Sequence, residues 1–415
     1  MKIIDVAEHY SENGGGVKTY INQKLKNAAR LGHEMIIIAP GNENKVEEKH
    51  GGRVIWQKNP PLMVDKRYGV FRNAKAIYEV LDKEQPDIVE GSSIWAGGRI
   101  VRKWKGNALK LFIFHQDAIA AYAHTYLDKY ISRKNIDKLF FPMWYYIRSI
   151  SRGYDHTIVS GEWLTKRLRK FKVKDPLAVP FGIDKSLFSK EKRSDEVRMK
   201  LLKLCNQDID ASLLLIASRF HPEKRLRTLF EAVNEVNKDQ PVGLVVFGEG
   251  ILSRKDRKYA SDSEHIHLAG FTQNREELAI AYASADLMIH GSAAETFGLG
   301  VAEAICSGLP VVAPSVGGAA DLVGDKFGML YEPGKVKECA VAIKESLERN
   351  KWDSSVNQNP LSINSVEDHF DKLFELYEEK LRQKENVNPI NRLVENNLPL
   401  RLVHSLQKRS QVLSR

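Results

Sequence analysis

Two carboxylates, Glu295 and Glu303, bracket the run Glu-Thr-Phe-Gly-Leu-Gly-Val-Ala-Glu with seven residues between them. An apolar run, Ala285 to Ile289, precedes the pair and breaks at His290-Gly291-Ser292. After it, Ala304 to Ser307 continues a helical pattern that stops at Gly308, and Pro310-Val-Val-Ala reads as a short buried strand. The pattern predicts strand, loop, helix, strand, with Glu295 in the loop and Glu303 inside the helix. Amides from Phe297 to Gly300 then open that helix, where free N–H groups and the positive dipole end suit a phosphate. Carboxylates beside such an opening suit the hydroxyls of a sugar or ribose. Glutamates at this spacing also occur on solvated helix faces, so the weight falls on the rest of the chain.

Other stretches carry compatible chemistry. Ser218-Arg-Phe-His-Pro-Glu-Lys-Arg follows the apolar run Leu213 to Ala217, which puts Arg219 and Lys224 at a strand's carboxyl end. A guanidinium and an ammonium converging there could neutralise a diphosphate; the plain alternative is a solvated turn. Asn13-Gly-Gly-Gly-Val lies between a strand and a helix, where Gly15 and Gly16 let backbone approach phosphate. It lacks the GxGxxG spacing and the later acidic residue of a dinucleotide site, which disfavours a nicotinamide enzyme. Gly248 in Phe-Gly-Glu-Gly and His115 in Phe-His-Gln-Asp each follow a strand end. Asp208-Ile-Asp210 mimics a metal-binding DxD but sits in a polar stretch that reads as a turn. Residues 126–152 mix aromatic with basic side chains, which suits a lipid surface, an acceptor groove or an amphipathic helix on the sheet.

These patches need strands and helices to hold them. With 415 residues the chain exceeds one ordinary core, and 43% hydrophobic with 28% charged residues suits a globular protein. No apolar run reaches the roughly 20 residues of a membrane span. The start, Met-Lys-Ile-Ile-Asp-Val, reads as a strand and not as a signal peptide, which implies a cytoplasmic protein. Three scattered cysteines, Cys205, Cys306 and Cys339, support neither a disulfide framework nor a zinc site. Residues 1–200 hold 37 Lys and Arg against 23 Asp and Glu, while the remainder holds 26 against 30. A basic first half suits anionic lipid, an acidic polysaccharide or nucleic acid, or simply a solubilising surface.

Strand and helix patterns alternate along both halves, which predicts α/β architecture with parallel sheets covered on both faces. The expected divisions are a first Rossmann-like domain over 1–184, a linker over 185–200 and a second Rossmann-like domain over 201–364. A final helix over 365–384 follows, and then a basic tail over 385–415 with weak periodicity, partly without fixed structure. Two such domains facing each other would share one cleft beyond the carboxyl ends of their strands.

Taken together, GGGV in the first loop, FH at Phe114-His115, VPFGID, SRFHPEKR, FGEG, the spaced glutamates and Pro310-Val-Val-Ala with Gly317-Gly318 resemble the glycosyltransferases of family 4. The resemblance covers residues 1–385 and implies the GT-B fold, a nucleotide-sugar donor, and retaining transfer of a hexose to a glycan or lipid-linked acceptor in envelope or polysaccharide synthesis. It implies that Arg219 and Lys224 hold the diphosphate and Glu303 the ribose. Glu295 then touches the donor sugar, while Phe297, Gly298 and Leu299 offer amides. Gly15 and Gly16 approach the phosphate, Gly248 lines the site, and His115 orients the transferred sugar. It implies no metal and no cofactor. No nucleic-acid partner is expected, and the basic first half suits peripheral contact of a cytoplasmic enzyme with anionic membrane. Another GT-B enzyme, such as a nucleotide-sugar epimerase, and a polyanion-binding protein without catalysis are the alternatives. Ala293-Ala294 departs from the polar residues the family often carries before its first glutamate.

Overall fold

The computed structural model describes residues 1–12, 16–62, 67–352 and 362–396. The chain divides into two compact units. The first comprises Met1–Phe112, Gly153–Asp155 and Phe370–Arg415; the second comprises Ile113–Arg152 and His156–His369.

In the first unit the apolar runs form β1 (Lys2–Val6), β2 (Glu34–Gly41), β3 (Lys45–Lys49), β4 (Gly52–Lys58), β5 (Ile88–Gly91) and β6 (Leu109–Ile113). Their order is β3-β4-β2-β1-β5-β6, parallel throughout except for β3 against β4. Ile4 lies in register with Ile36 on one side and Val89 on the other, and all three are fully buried. Buried on both faces, such strands read as unbroken apolar runs. The helix Gly16–Arg30 buries Ile21, Leu25 and Ala28. Asn73 caps the helix Ala74–Glu84 by accepting from the Ala76 amide at 3.2 Å, and Gln85 ends it in the left-handed conformation.

A charged cluster lies inside this unit. The Lys24 ammonium pairs with Glu90 and lies 3.9 Å from Asp5, and Tyr377 donates to Glu90. Burial, with the Glu90 charge, pushes the Asp5 carboxyl up to about 7, against the pull of Lys24 and Ser92. Asp5 therefore holds a proton in the fold at pH values where the unfolded chain has released it. Its share of stability is complete below about 4 and declines as pH rises through about 7. Asp5→Asn keeps the acceptor for Ser92, 2.6 Å away, and removes the titration. We expect its urea midpoint to change less between pH 4.5 and 7.5 than that of the parent chain. An equal change in both would show that Asp5 is not the titrating group.

The final helix spans Val366–Asn396 and runs past the expected end at Lys384, so residues 385–396 are helical. Its first turn is acidic, which suits the dipole. From Phe370 onward it belongs to the first unit, where Lys384 donates to Asp155 at 2.9 Å. The rest of the expected tail, 397–415, lies outside the described residues. No described helix is long and apolar enough to cross a membrane.

In the second unit, β7 (His156–Val159) pairs in parallel with β8 (Pro176–Ala178). Further on, β9 (Gly182–Ile183) pairs with β16 (Asn364–Ser365). Between them in sequence come β10 (Ser212–Ala217), β11 (Val242–Phe247), β12 (Ile266–Gly270), β13 (Leu287–Ile289), β14 (Val311–Pro314) and β15 (Gly328–Tyr331). They form one sheet in the order β12-β11-β10-β13-β14-β15. The order reverses between β10 and β13, and open sheets bind ligands at the carboxyl ends beside such a reversal. Within the stretch 185–200, the second half opens the helix Asp195–Leu204, capped by Ser194.

The second unit takes up the chain from Ile113. Hydrogen bonds tie its early and late segments together. Thr296 donates to the His115 carbonyl at 3.0 Å, Ser160 to the Thr296 carbonyl at 3.1 Å, and Arg225 to Asp128 at 2.6 Å.

Candidate functional site

The loops that leave β10 and β13 lie against each other at the reversal. The first, Ser218 to Arg225, is shaped by a short turn, Pro222–Lys224, in which the His221 ring accepts from the Glu223 amide at 3.4 Å. Arg225 ends the turn at φ +48°. A Cβ at Gly291 would come within 2.2 Å of the Lys224 carbonyl, so only glycine permits this approach of the two loops.

That contact delivers Lys224 to Glu295. The ammonium pairs directly with Glu295 Oε1 and lies 3.4 Å from Glu223. The His290 Nε2 atom is 3.7 Å from the same Glu295 oxygen. It is buried and has no hydrogen-bond partner among the described residues. Burial pulls the Lys224 ammonium toward neutrality, but the charges of Glu295 and Glu223 outweigh it and raise its pKa. Burial works against ionised Glu295 as well, yet Lys224, His290 and Arg219 bring its carboxyl down to about 2. Burial drops His290 to about 4, so the imidazole is neutral at pH 7. Arg219 is exposed, and its charge acts on both members of the pair. The result is an ionised, preorganised pair with a second cation beside it.

Glu303 lies in the helix Leu299–Cys306. Gly298 opens that helix at φ +100°, a conformation that favours glycine. The first amides of a helix have no partner within it. A glycine is also required at 318, where a Cβ would come within 2.5 Å of the Thr296 carbonyl, while the Gly318 amide donates to the Glu295 carbonyl at 2.7 Å. Glu303 Oε1 accepts from Arg275 at 2.7 Å. Burial raises the Glu303 pKa, and Arg275 opposes it.

Lys224, Glu295 and Arg219 thus come together, and Glu303 follows in the helix that begins beside Glu295. Phe297 is a core residue whose ring meets Phe181 edge-on at 5.4 Å, whereas Leu299 is exposed. The Gly248 amide donates to the Gly270 carbonyl at 2.7 Å. Gly248 also lets the loop after β10 pack closely, because a Cβ there would meet the Ser218 carbonyl at 1.9 Å. Gly16 starts a helix of the first unit, and Gly15 lies outside the described residues. Asp208 forms a turn, its carbonyl accepting from the Ala211 amide at 3.1 Å. Among the described residues, no group of three or more His, Cys, Asp or Glu could hold a metal ion. The three cysteines are free and buried.

His115 follows β6, and the loop after it is held by a charged cluster. Asp117 accepts from the Ile119 and Ala120 amides at 3.0 and 2.9 Å and pairs with Arg167. Arg167 also binds Asp137 at 2.8 Å, and His124 binds the same carboxylate at 3.0 Å. Burial disfavours ionised Asp137, but His124 and Arg167 hold it well below the usual range. Sequence reasoning did not single out Arg167, Arg275 or His290 for a role. Lone polar residues carry no spacing signal, although His290 falls directly after a strand, as His115 does.

The model for Glycosyltransferase Family 4 matches residues 14–187, and that for Glycosyl transferases group 1 matches residues 206–360. The chain is 28% identical over 341 residues to a sulfoquinovosyl transferase of Arabidopsis thaliana, covering 80% of this chain and 64% of that protein. It is 26% identical over 407 residues to the alpha-monoglucosyldiacylglycerol synthase of Streptococcus pneumoniae, covering 96% and 87%. In structure it is similar to sucrose-phosphate synthase from Thermosynechococcus elongatus, with TM-score 0.71, 20% identity, and 92% and 99% of the two chains covered. Two family models matched in succession, on a fold with two parallel sheets, show that the chain belongs to the glycosyltransferases of the family 4 type, with the GT-B fold.

Proposed function

We propose that this glycosyltransferase moves a hexose, with retention of anomeric configuration, from a nucleoside diphosphate sugar to a glycan or lipid-linked acceptor of envelope or polysaccharide synthesis. The carrying observation is the ionised Lys224–Glu295 pair beside Arg219, where the second sheet reverses its order. Breaking the bond between the anomeric carbon and the diphosphate oxygen leaves negative charge on the diphosphate. Lys224, Arg219 and the first amides of the helix Leu299–Cys306 stabilise that charge as it grows. The acceptor hydroxyl bonds to the same carbon from the leaving-group side, and its proton passes to a phosphate oxygen. Glu295 and the unpartnered His290 Nε2 take hydroxyls of the transferred sugar, and Glu303 takes the ribose.

In this reading two cations and the helix amides take the role that a metal has elsewhere, so neither metal nor cofactor is needed. The lipid option is supported by the name of the monoglucosyldiacylglycerol synthase relative. We place the enzyme in the cytoplasm, with peripheral contact to the inner membrane face and no nucleic-acid partner.

Thermal shift with UDP, GDP, ADP and NAD, followed by donor hydrolysis with the matching sugar nucleotides, tests this. One nucleoside diphosphate at 100 times its dissociation constant is expected to stabilise the fold by about 2.7 kcal/mol, and NAD is expected to have no effect. Coupling constants of the product would report the anomeric configuration. Stabilisation by heparin or polyphosphate alone, without donor turnover, would replace the transferase reading by a polyanion-binding one.

A further inference from the structure

Residues 129–145 show two faces of opposite character. The helix Arg133–Leu139 buries Ile136 and Asp137, and the helix Phe141–Ser151 buries Trp144, Ile147 and Ile150. Trp144 stacks on Phe171 at 3.9 Å, with Arg167 over its ring at 5.0 Å, which fixes how the segment sits. The other face is apolar and exposed: Tyr130 is 75% exposed, Leu139 65%, Phe141 55% and Tyr145 52%. Monomeric proteins seldom leave large side chains clustered in water without a use for them.

Charge on this face has one sign. Lys134 and Lys138, one helical turn apart, are both exposed. Lys129 lies 4.6 Å from the Tyr130 ring centre, and Arg148 lies 5.3 Å from that of Tyr145. The only acids of residues 122–152 are turned away from water. Asp137 is buried against Arg167 and His124, and Asp128 is paired with Arg225 at 2.6 Å and Arg133 at 2.9 Å. The segment therefore offers tyrosines, aliphatic tips and ammonium groups, and its own two carboxylates are already paired with arginines.

We propose that this face docks on an anionic lipid bilayer, with Tyr130, Leu139, Phe141 and Tyr145 entering the headgroup boundary and Lys134 and Lys138 meeting lipid phosphates. Tyrosine and aliphatic side chains flanked by lysine match that boundary, where an apolar body and a wet polar tip are both satisfied. Exposed Leu139 distinguishes this from a nucleic-acid groove, because a leucine offers no face on which a base can stack. The Asp128–Arg225 pair ties the segment to the residue after Lys224, so a lipid-linked acceptor would meet the enzyme beside its donor loop. The proposal rests on the lipid-facing part of the proposed function, not on its donor chemistry.

Sedimentation of the whole chain with phosphatidylglycerol-containing vesicles and with pure phosphatidylcholine vesicles tests it. Donor hydrolysis without vesicles is measured in parallel. We expect binding to the anionic vesicles only, falling steeply with salt. Replacing both Lys134 and Lys138 by Ala is expected to weaken binding about 30-fold, at about tenfold per 1.4 kcal/mol and about 1 kcal/mol per lysine. Phe141→Ser with Tyr145→Ser weakens it at every salt concentration, and hydrolysis is unchanged in both variants. Equal vesicle binding by the parent and both variants overturns the proposal. So does binding to heparin or single-stranded DNA without binding to vesicles. Loss of hydrolysis in the parent chain would instead strike the donor reading and leave the docking result to stand by itself.

Discussion

Lys224→Ala is expected to lower turnover with the cognate donor by about 10²- to 10³-fold, the loss seen when one preorganised donor to a developing charge is removed. It should also destabilise the fold, because Glu295 is left as a poorly solvated carboxylate without its partner. The two effects separate on adding Glu295→Gln. That double variant removes the stranded charge, so stability should return while turnover stays low. Acid titration gives an independent check. In the parent chain the Glu295 carboxyl is held at about 2, below its ordinary 4.5. Its stability is therefore complete above about 4.5 and is lost as pH falls toward 2. Without Lys224 the folded-state pKa rises, so acid unfolding should begin at higher pH. Near-parent turnover in a folded Lys224→Ala enzyme would show that the pair is structural and that the diphosphate is held elsewhere.

Much of this site could be read from the chain because its parts follow strands. The runs Leu213 to Ala217 and Leu287 to Ile289 declare themselves as buried parallel strands, and the residues after them must then lie at carboxyl ends. Spacing does not show what pairs across the fold. Lys24 reads as a solvated helix position, yet it is 1% exposed and paired with Glu90 from another element. Gly97 and Gly98 argue against a helix at Ala96–Lys103, but the helix forms because packing overrides propensity. A Cβ at Gly98 would meet the Ser93 carbonyl at 2.0 Å, and the Tyr154 hydroxyl donates to the Gly98 carbonyl at 2.6 Å. The strand Lys45–Lys49 carries no apolar signal in the sequence, because an edge strand that faces water carries charge in place of an apolar run.

Glu303→Ala is expected to reduce kcat/KM for the donor by about 10- to 100-fold, mainly through KM. A hydrogen bond to a charged group is worth about 1.5–3 kcal/mol, and a ribose contact is made alike in ground and transition states. The Arg275 partnership makes the role testable without deleting the carboxylate. Burial favours protonated Glu303, and Arg275 favours the ionised form that accepts from two ribose hydroxyls. Arg275→Ala therefore raises the Glu303 pKa further. The acidic limb of the kcat/KM profile should move to higher pH, while kcat at saturating donor and neutral pH changes little. Glu303→Gln, which cannot ionise, should abolish the dependence of that limb on Arg275. If the limb stays in place in Arg275→Ala, Glu303 is not the group that titrates against donor binding. The ribose must then be held by some other residue at the mouth of this sheet.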